Sequence, residues 1–195
     1  MYCLRDYQQD TIEKINEAFR HSKSVLLQMP TGTGKTIIIS EVVRSFLISQ
    51  ASGSNILILA HRKILIEQIQ KTIQLVFPKY TKQQRMDPPK VRCITVQSQV
   101  KKLNDPFLKS IGLIVVDEAH HAPAESYQRI IQSCKKIQTL ILGVTATPKR
   151  LDGKILTDTF DTIIISPGIQ WFIKNGHLSP LKHFATSNIT RKDLK

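Results

Sequence analysis

Nowhere in this 195-residue chain does an apolar run approach the ~20 residues that a membrane-spanning helix needs. Its first residues, Met1-Tyr2-Cys3-Leu4-Arg5-Asp6, lack the apolar core of a signal peptide. Cysteine is scarce: Cys3, Cys93 and Cys134 are far apart, odd in number and without metal-ligand spacing. That excludes a disulfide scaffold and a zinc ribbon, and reads as reduced, structural thiols. No internal repeat or low-complexity tract is present, so a solenoid is excluded. Acidic residues are few, 15 against 28 lysines and arginines, which leaves a net charge of +13 and a pI near 9.8. Two readings of that imbalance stay open, a polyanionic partner and a merely solubilising lysine-rich surface. These absences predict no membrane partner. They place the chain in the cytoplasm, or in the nucleoid or nucleus where nucleic acid is kept.

What is present begins with Gln28-Met29-Pro30-Thr31-Gly32-Thr33-Gly34-Lys35-Thr36. An apolar run, Ser24-Val25-Leu26-Leu27, precedes it, and Ile37-Ile38-Ile39 with Glu41-Val42-Val43 follows. Strand, glycine-rich turn and helix in that order, closing on Gly-Lys-Thr, form a phosphate-binding loop. Pro30, Thr31, Gly32, Thr33 and Gly34 would curl the backbone so that its N–H groups face a phosphate. The N-terminus of the following helix adds its partial positive charge there. Lys35 would reach the β- and γ-phosphates, and the Thr36 hydroxyl would serve Mg²⁺. Met29 stands where such loops begin with glycine.

The periodicity predicts helices over Arg5–Phe19, Lys35–Ser49, Lys63–Phe77, Gln97–Leu103, Ala124–Cys134 and Gly168–Asn175. It predicts strands over Ser24–Gln28, Asn55–Ala60, Val91–Val96, Leu113–Val116, Thr139–Val144 and Thr162–Ser166. Pro78 to Lys90 carries three prolines and reads as a surface loop, and Leu181–Thr186 begins something extended. Strands alternating with helices imply an α/β fold with a mostly parallel central sheet and helices on both faces.

In an open parallel sheet, ligands sit at the carboxyl ends of the strands. Each unusual polar cluster of this chain falls at such an end: the glycine loop, Ala60-His61-Arg62, Thr95-Val96-Gln97-Ser98, Asp117-Glu118-Ala119-His120-His121, and Thr145-Ala146-Thr147. Asp117, after four apolar residues, would emerge beside the glycine loop and hold the Mg²⁺ that Thr36 also serves. Glu118 would then orient and deprotonate the water that attacks the γ-phosphate. An acidic turn capping the next helix is the plainer alternative. The two histidines have no further partner at zinc-ligand spacing. A hydrogen bond from one of these histidines to the Thr145 or Thr147 hydroxyl is the more economical expectation.

In this order, the glycine loop, Asp117-Glu118-Ala119-His120 and Thr145-Ala146-Thr147-Pro148 resemble motifs I, II and III of superfamily 2 helicases with a DEAH box. Leu4-Arg5-Asp6-Tyr7-Gln8 resembles the adenine-reading segment of that family, Ala60-His61-Arg62 through Gln68 its motif Ia, and Thr95-Val96-Gln97-Ser98 the next strand-contacting motif. The run Thr145 to Gly153 and Gly176-His177-Leu178 narrow the likeness to the branch of repair-type DNA helicases and type III restriction motor subunits.

The resemblance implies a RecA-like P-loop domain over residues 1–180, with 181–195 as an exit strand or linker. ATP and Mg²⁺ are the implied cofactors, with Lys35, Asp117 and Glu118 at the chemistry and Arg5 and Gln8 on the adenine. His120, Thr145 and Thr147 would couple ATP state to nucleic-acid grip. His61, Arg62, Thr95, Gln97 and Ser98 would touch a sugar-phosphate backbone, that of DNA ahead of RNA. The short, proline-broken stretch before Thr95 departs from the family pattern, so one nucleic-acid contact is expected to be missing.

A second RecA-like domain, in cis or in trans, is the expected partner that supplies an arginine finger; Arg129 and Arg150 belong to first-domain elements. The chain is therefore expected to be a fragment or half of a split motor, nearly inactive alone. Three classes stay open at this point: half of an ATP-dependent helicase, a binding module for ATP and nucleic acid with little turnover, or an unrelated P-loop enzyme such as a small-molecule kinase.

Overall fold

A computed structural model of the chain describes residues 3–49, 54–76, 91–122, 124–134, 139–147, 156 and 159–180. Six strands form one sheet: β1 (Ser24–Gln28), β2 (Asn55–Ala60), β3 (Val91–Thr95), β4 (Ile111–Asp117), β5 (Leu140–Thr145) and β6 (Thr162–Ile165). Their order across the sheet is β3-β2-β4-β5-β1-β6, and all five pairings are parallel. The expected mostly parallel sheet is parallel throughout these strands. The helices are α1 (Asp6–His21), α2 (Lys35–Ser49), α3 (Lys63–Val76), α4 (Val96–Val100), α5 (Glu125–Cys134) and α6 (Ile169–Lys174).

Alternation along each strand divides the apolar residues between two faces. Val25, Leu27, Ile56, Ile58, Leu113, Val115, Leu142 and Val144 join one core with α1, α2, α3 and Phe172 of α6. Leu26, Leu57, Leu59, Ile114, Val116 and Ile141 join the other with Val96, α5, Leu156 and Phe160. Burial on both faces is what all-apolar strands such as Leu113 to Val116 require. At Gly143 the sheet admits no side chain, because an added Cβ would collide with the Phe160 ring and come within 2.9 Å of Ala119 Cβ.

Local chemistry shifts several element ends from the expected places. Val96 leaves the strand for α4 because the Thr95 hydroxyl caps that helix, accepting from Ser98 N–H at 3.4 Å. β4 begins earlier than expected, at Ile111. Just before it, Asp105 caps a 3₁₀ turn over Pro106–Ser110 that periodicity does not reveal. A second 3₁₀ turn covers Ala119–His121. The expected loop over Pro78–Lys90 and the exit segment after Leu181 lie outside the described residues.

All three cysteines are free. Burial pushes the Cys93 thiol up to about 12 and the Cys134 thiol up to about 11, so both are protonated and unreactive at neutral pH.

Candidate nucleotide and nucleic-acid site

Parallel register aligns the strand ends. Gln28 pairs with Thr145, Asp117 with Val144, Leu59 with Val116, and Ala60 with Thr95. The polar clusters that follow these residues therefore emerge along one edge, as Gln28 to Lys35, Asp117 to His121, and Thr145 to Thr147.

The glycine loop is held from three sides. Met29 N–H donates to the Thr145 carbonyl at 2.9 Å, which ties the loop to β5. The Tyr7 hydroxyl donates to the Thr33 carbonyl at 2.8 Å, which ties it to α1. Thr33 turns inward and donates its hydroxyl to the Pro30 carbonyl at 2.6 Å. Gly32 and Gly34 have φ of +82° and +94°, a backbone region closed to most side chains. Met29 is not among the residues of positive φ, and its side chain is wholly buried in the core. Its carbonyl accepts from Lys35 Nζ at 3.3 Å. Glycine is therefore not required at the first position of this loop.

The start of α1 closes the loop's outer side. Gln8 is buried and its Oε1 accepts the Arg5 N–H at 3.0 Å. Its amide nitrogen lies where a Cβ on Gly34 would stand. A cleft of about 360 Å³ opens here, lined among others by Arg5, Tyr7, Gln8, Gly32, Thr33 and Ile37. Tyr7 lies in the segment Leu4 to Gln8 that the sequence singles out, and the structure adds its hydroxyl to the loop. Only the packing of α1 against the loop reveals that bond.

Asp117 ends β4 and is buried, with its Oδ1 accepting Glu118 N–H at 3.0 Å. Burial, then the neighbouring Glu118 charge, raises the Asp117 carboxyl above its usual range, against the pull of that hydrogen bond, Lys35 and His120. Burial lowers the Lys35 ammonium, opposed by Glu118 and Asp117. One half-buried lysine thus faces two acids that repel each other, a charge set that an added cation relieves. Among the described residues no three His, Cys, Asp or Glu side chains gather as a metal cage. That fits Mg²⁺, which usually takes one or two carboxylates and completes its shell with water and phosphate oxygens. Glu118 itself has left-handed backbone, φ 51° and ψ 52°.

His120 joins this cluster to β5. Its Nδ1 lies 3.0 Å from Thr145 Oγ1 and 3.4 Å from Glu118 Oε2. Thr145 Oγ1 donates to the Thr147 carbonyl at 3.0 Å and accepts Thr147 N–H at 3.2 Å. A hydroxyl has one proton, so Thr145 is left to accept from His120, and Nδ1 carries the ring proton.

At the other end of the edge the polar groups are exposed. His61 and Arg62 lead into α3, and Gln97 and Ser98 lie on the first turn of α4. Gln97 Nε2 comes within 3.5 Å of His61 Nδ1, and Thr95 Oγ1 donates to Ser98 Oγ at 2.9 Å. The structure thus brings Thr95, Ser98, Gln97 and His61 together beside the turn after β4. Arg62 is exposed at the start of α3, where its carbonyl accepts Leu65 N–H at 3.1 Å. Arg129 is exposed on α5, and Arg150 lies outside the described residues.

Residues 1–150 match the protein family described as type III restriction enzyme, res subunit. The chain is 31% identical over 170 residues to a 51.5 kDa protein of a Lactococcus phage, covering 87% of this chain and 34% of that one. It is 29% identical over 183 residues to the ATP-dependent DNA helicase MPH1 of Scheffersomyces stipitis, covering 84% and 17%. Among solved structures, the Hef helicase domain of Pyrococcus furiosus superposes with a TM-score of 0.66 at 23% identity, over 83% of this chain and 38% of that one. That likeness identifies the fold as RecA-like. The chain spans about a third or less of the length of these curated relatives.

Proposed function

Because this chain belongs to the type III restriction enzyme res-subunit family, whose fold here is the N-terminal RecA-like domain of superfamily 2 helicases, we propose that it is the ATP-binding half of a DNA helicase or translocase. The observation that carries the reading is the convergence, on one sheet edge, of the glycine loop, the Asp117–Glu118 pair and the His120–Thr145 contact. Residues 1–180 act as the ATP-binding domain, and 181–195 lead toward a second RecA-like domain.

In this reading Arg5 and Gln8 hold adenine in the cleft beside Gly34. The loop from Pro30 to Gly34 presents its backbone to the phosphates, and Lys35 pairs with the β- and γ-phosphate oxygens. Thr36 and Asp117 hold Mg²⁺, which when bound neutralises charge on those oxygens. Glu118 takes a proton from the attacking water as the bond between the γ-phosphorus and the bridging oxygen breaks, leaving ADP and inorganic phosphate. His120, through its Nδ1, stands between Thr145 and Glu118. His61, Arg62, Thr95, Gln97 and Ser98 contact sugar-phosphate, which carries no sequence information, as movement along a strand requires. The name of the Scheffersomyces relative supports DNA as the polymer.

The test is titration of a fluorescent ATP analogue with Mg²⁺ against the chain and its Lys35→Ala variant. Lys35 is the first residue of α2, and the loop before it is held by bonds that do not involve its side chain beyond the Met29 carbonyl. The variant is therefore expected to keep its circular dichroism and to lose most of its affinity for the analogue. Equal affinities would remove Lys35 from the phosphate site.

A further inference from the structure

Between the exposed and the buried ends of the sheet edge lies a side chain to which the reading above gives no task, His121. Its ring stands between two others: the His120 ring at 4.1 Å between centroids and tilted 46°, and the His61 ring at 5.2 Å and tilted 30°. Gln97 reaches His61 on the far side at 3.5 Å, and His120 reaches Glu118 and Thr145 on the near side. The groups form one unbroken line of contacts: Gln97 after β3, His61 after β2, His121 and His120 after β4, and Thr145 at the end of β5. Without the His121 ring that line is broken in its middle. The Ala119–His121 turn is tied to Glu118 itself, through His121 N–H on the Glu118 carbonyl at 3.0 Å.

We propose that His121 is a positioning residue that couples occupancy of the exposed nucleic-acid edge to the placement of Glu118, through the stack of its ring between His61 and His120. The inference rests on the ATP and nucleic-acid reading given above. Stacked rings hold a narrow range of spacings, and side chains packed in this way shift together rather than independently. A phosphate drawn to His61 and Gln97 therefore moves or locks the His61 ring, and His121 passes the change to His120 and so to its 3.4 Å contact with Glu118. The effect is reciprocal: whatever ATP does to Glu118 returns through the same rings to the grip on the strand.

The readout is the coupling between two ligands. The affinity of the chain for a fluorescent non-hydrolysable ATP analogue with Mg²⁺ is measured with and without saturating single-stranded oligothymidylate. The wild-type chain is expected to show a ratio of about 5–150-fold, the usual range of coupling between linked sites. His121→Ala is expected to bind each ligand alone as the wild type does and to bring the ratio to about one. His121→Phe, which keeps a ring in the stack, is expected to retain most of it. If His121→Ala fails to fold, His121→Gln, of similar reach but without a ring, takes its place.

A ratio that survives loss of the ring overturns the proposal. So does loss of the ratio in His121→Phe, or a fall in affinity for the nucleotide alone in the ringless variant, which is what a merely structural role predicts. A wild-type chain that binds both ligands without coupling overturns it too. A wild-type chain that binds neither overturns the functional reading beneath it, and the two failures are told apart by the single-ligand titrations.

Discussion

The two ends of the sheet edge are built on opposite principles. At the glycine-loop end, backbone atoms and buried side chains are already bonded to one another: Tyr7 to Thr33, Met29 to Thr145, Gln8 against Gly34. At the other end, His61, Arg62, Gln97 and Ser98 are exposed, and their bonds are to neighbours of the same surface. A phosphate chain of fixed length needs donors that do not rearrange. A sugar-phosphate strand sliding past needs contacts that form and break, and exposed side chains in water pay little to do so. Buried rigidity at one end and solvated adaptability at the other are what a nucleotide-driven grip demands.

The largest effect that bears on this contrast lies outside both ends. The charged groups acting on Asp117 among the described residues are Glu118, Lys35 and His120, none of them an arginine. An arginine finger is worth about 10³–10⁵ in rate, roughly 4–7 kcal/mol of barrier. Turnover of ATP by the 195-residue chain should accordingly rise by that order when a second RecA-like domain is fused or added, and Glu118→Gln should abolish the gain. Brisk hydrolysis by the chain alone, as a verified monomer, would show that the pre-bonded end is already complete.

A moderate effect separates the ends by stability. Ionising Asp117 carries a cost in the folded state, since burial and then Glu118 raise its pKa there. The sign follows: a carboxyl whose folded pKa exceeds its unfolded one destabilises the fold above that range, and the cost vanishes as pH falls and the group protonates. With a chelator present, Asp117→Asn should therefore melt higher than the wild type at neutral pH, and the gap should close on acidification. A gap that widens toward low pH would mean that the carboxylate is stabilised, not strained.

The smallest effect belongs to the exposed end. Arg62→Ala should leave stability within about 0.5 kcal/mol, as surface changes do. It should lower the log–log salt slope of single-strand binding by about 0.7, the loss of one phosphate contact. An unchanged slope would take Arg62 off the strand.

How far these features were legible in the sequence depends on how local they are. The glycine loop and the Asp117–His121 run are contiguous, and each follows an apolar strand, so both could be read directly. Sheet-face alternation made the two cores readable from Leu113 to Val116 alone. Bonds between distant segments were beyond reach. The Tyr7 hydroxyl meets Thr33 only because α1 folds over the loop, 26 residues away in sequence. His61 meets His121 because β2 and β4 are neighbours, an adjacency that strand periodicity does not encode. The end of β3 was misplaced by one residue because Thr95 serves as strand end and helix cap at once. Met29 looked like a defect in the loop until its backbone proved ordinary and its side chain part of the core.

The strand order can also be used as a ruler. From β1, which feeds the glycine loop, to β3, which feeds Gln97 and Ser98, the sheet counts four steps, through β5, β4 and β2. Neighbouring strands stand about 4.8 Å apart, so the glycine loop and the Gln97–Ser98 turn are separated by about 19 Å along the edge. That is beyond the reach of any side chain and beyond a Debye length in physiological salt, ~8 Å. If the proposed reading holds, with nucleotide at one end and a strand at the other, a message between them would have to travel by contact. β4 lies two steps from each, and the segment it carries, Asp117 to His121, is the waypoint at half the distance. Two acids and two imidazoles fall on that one short run.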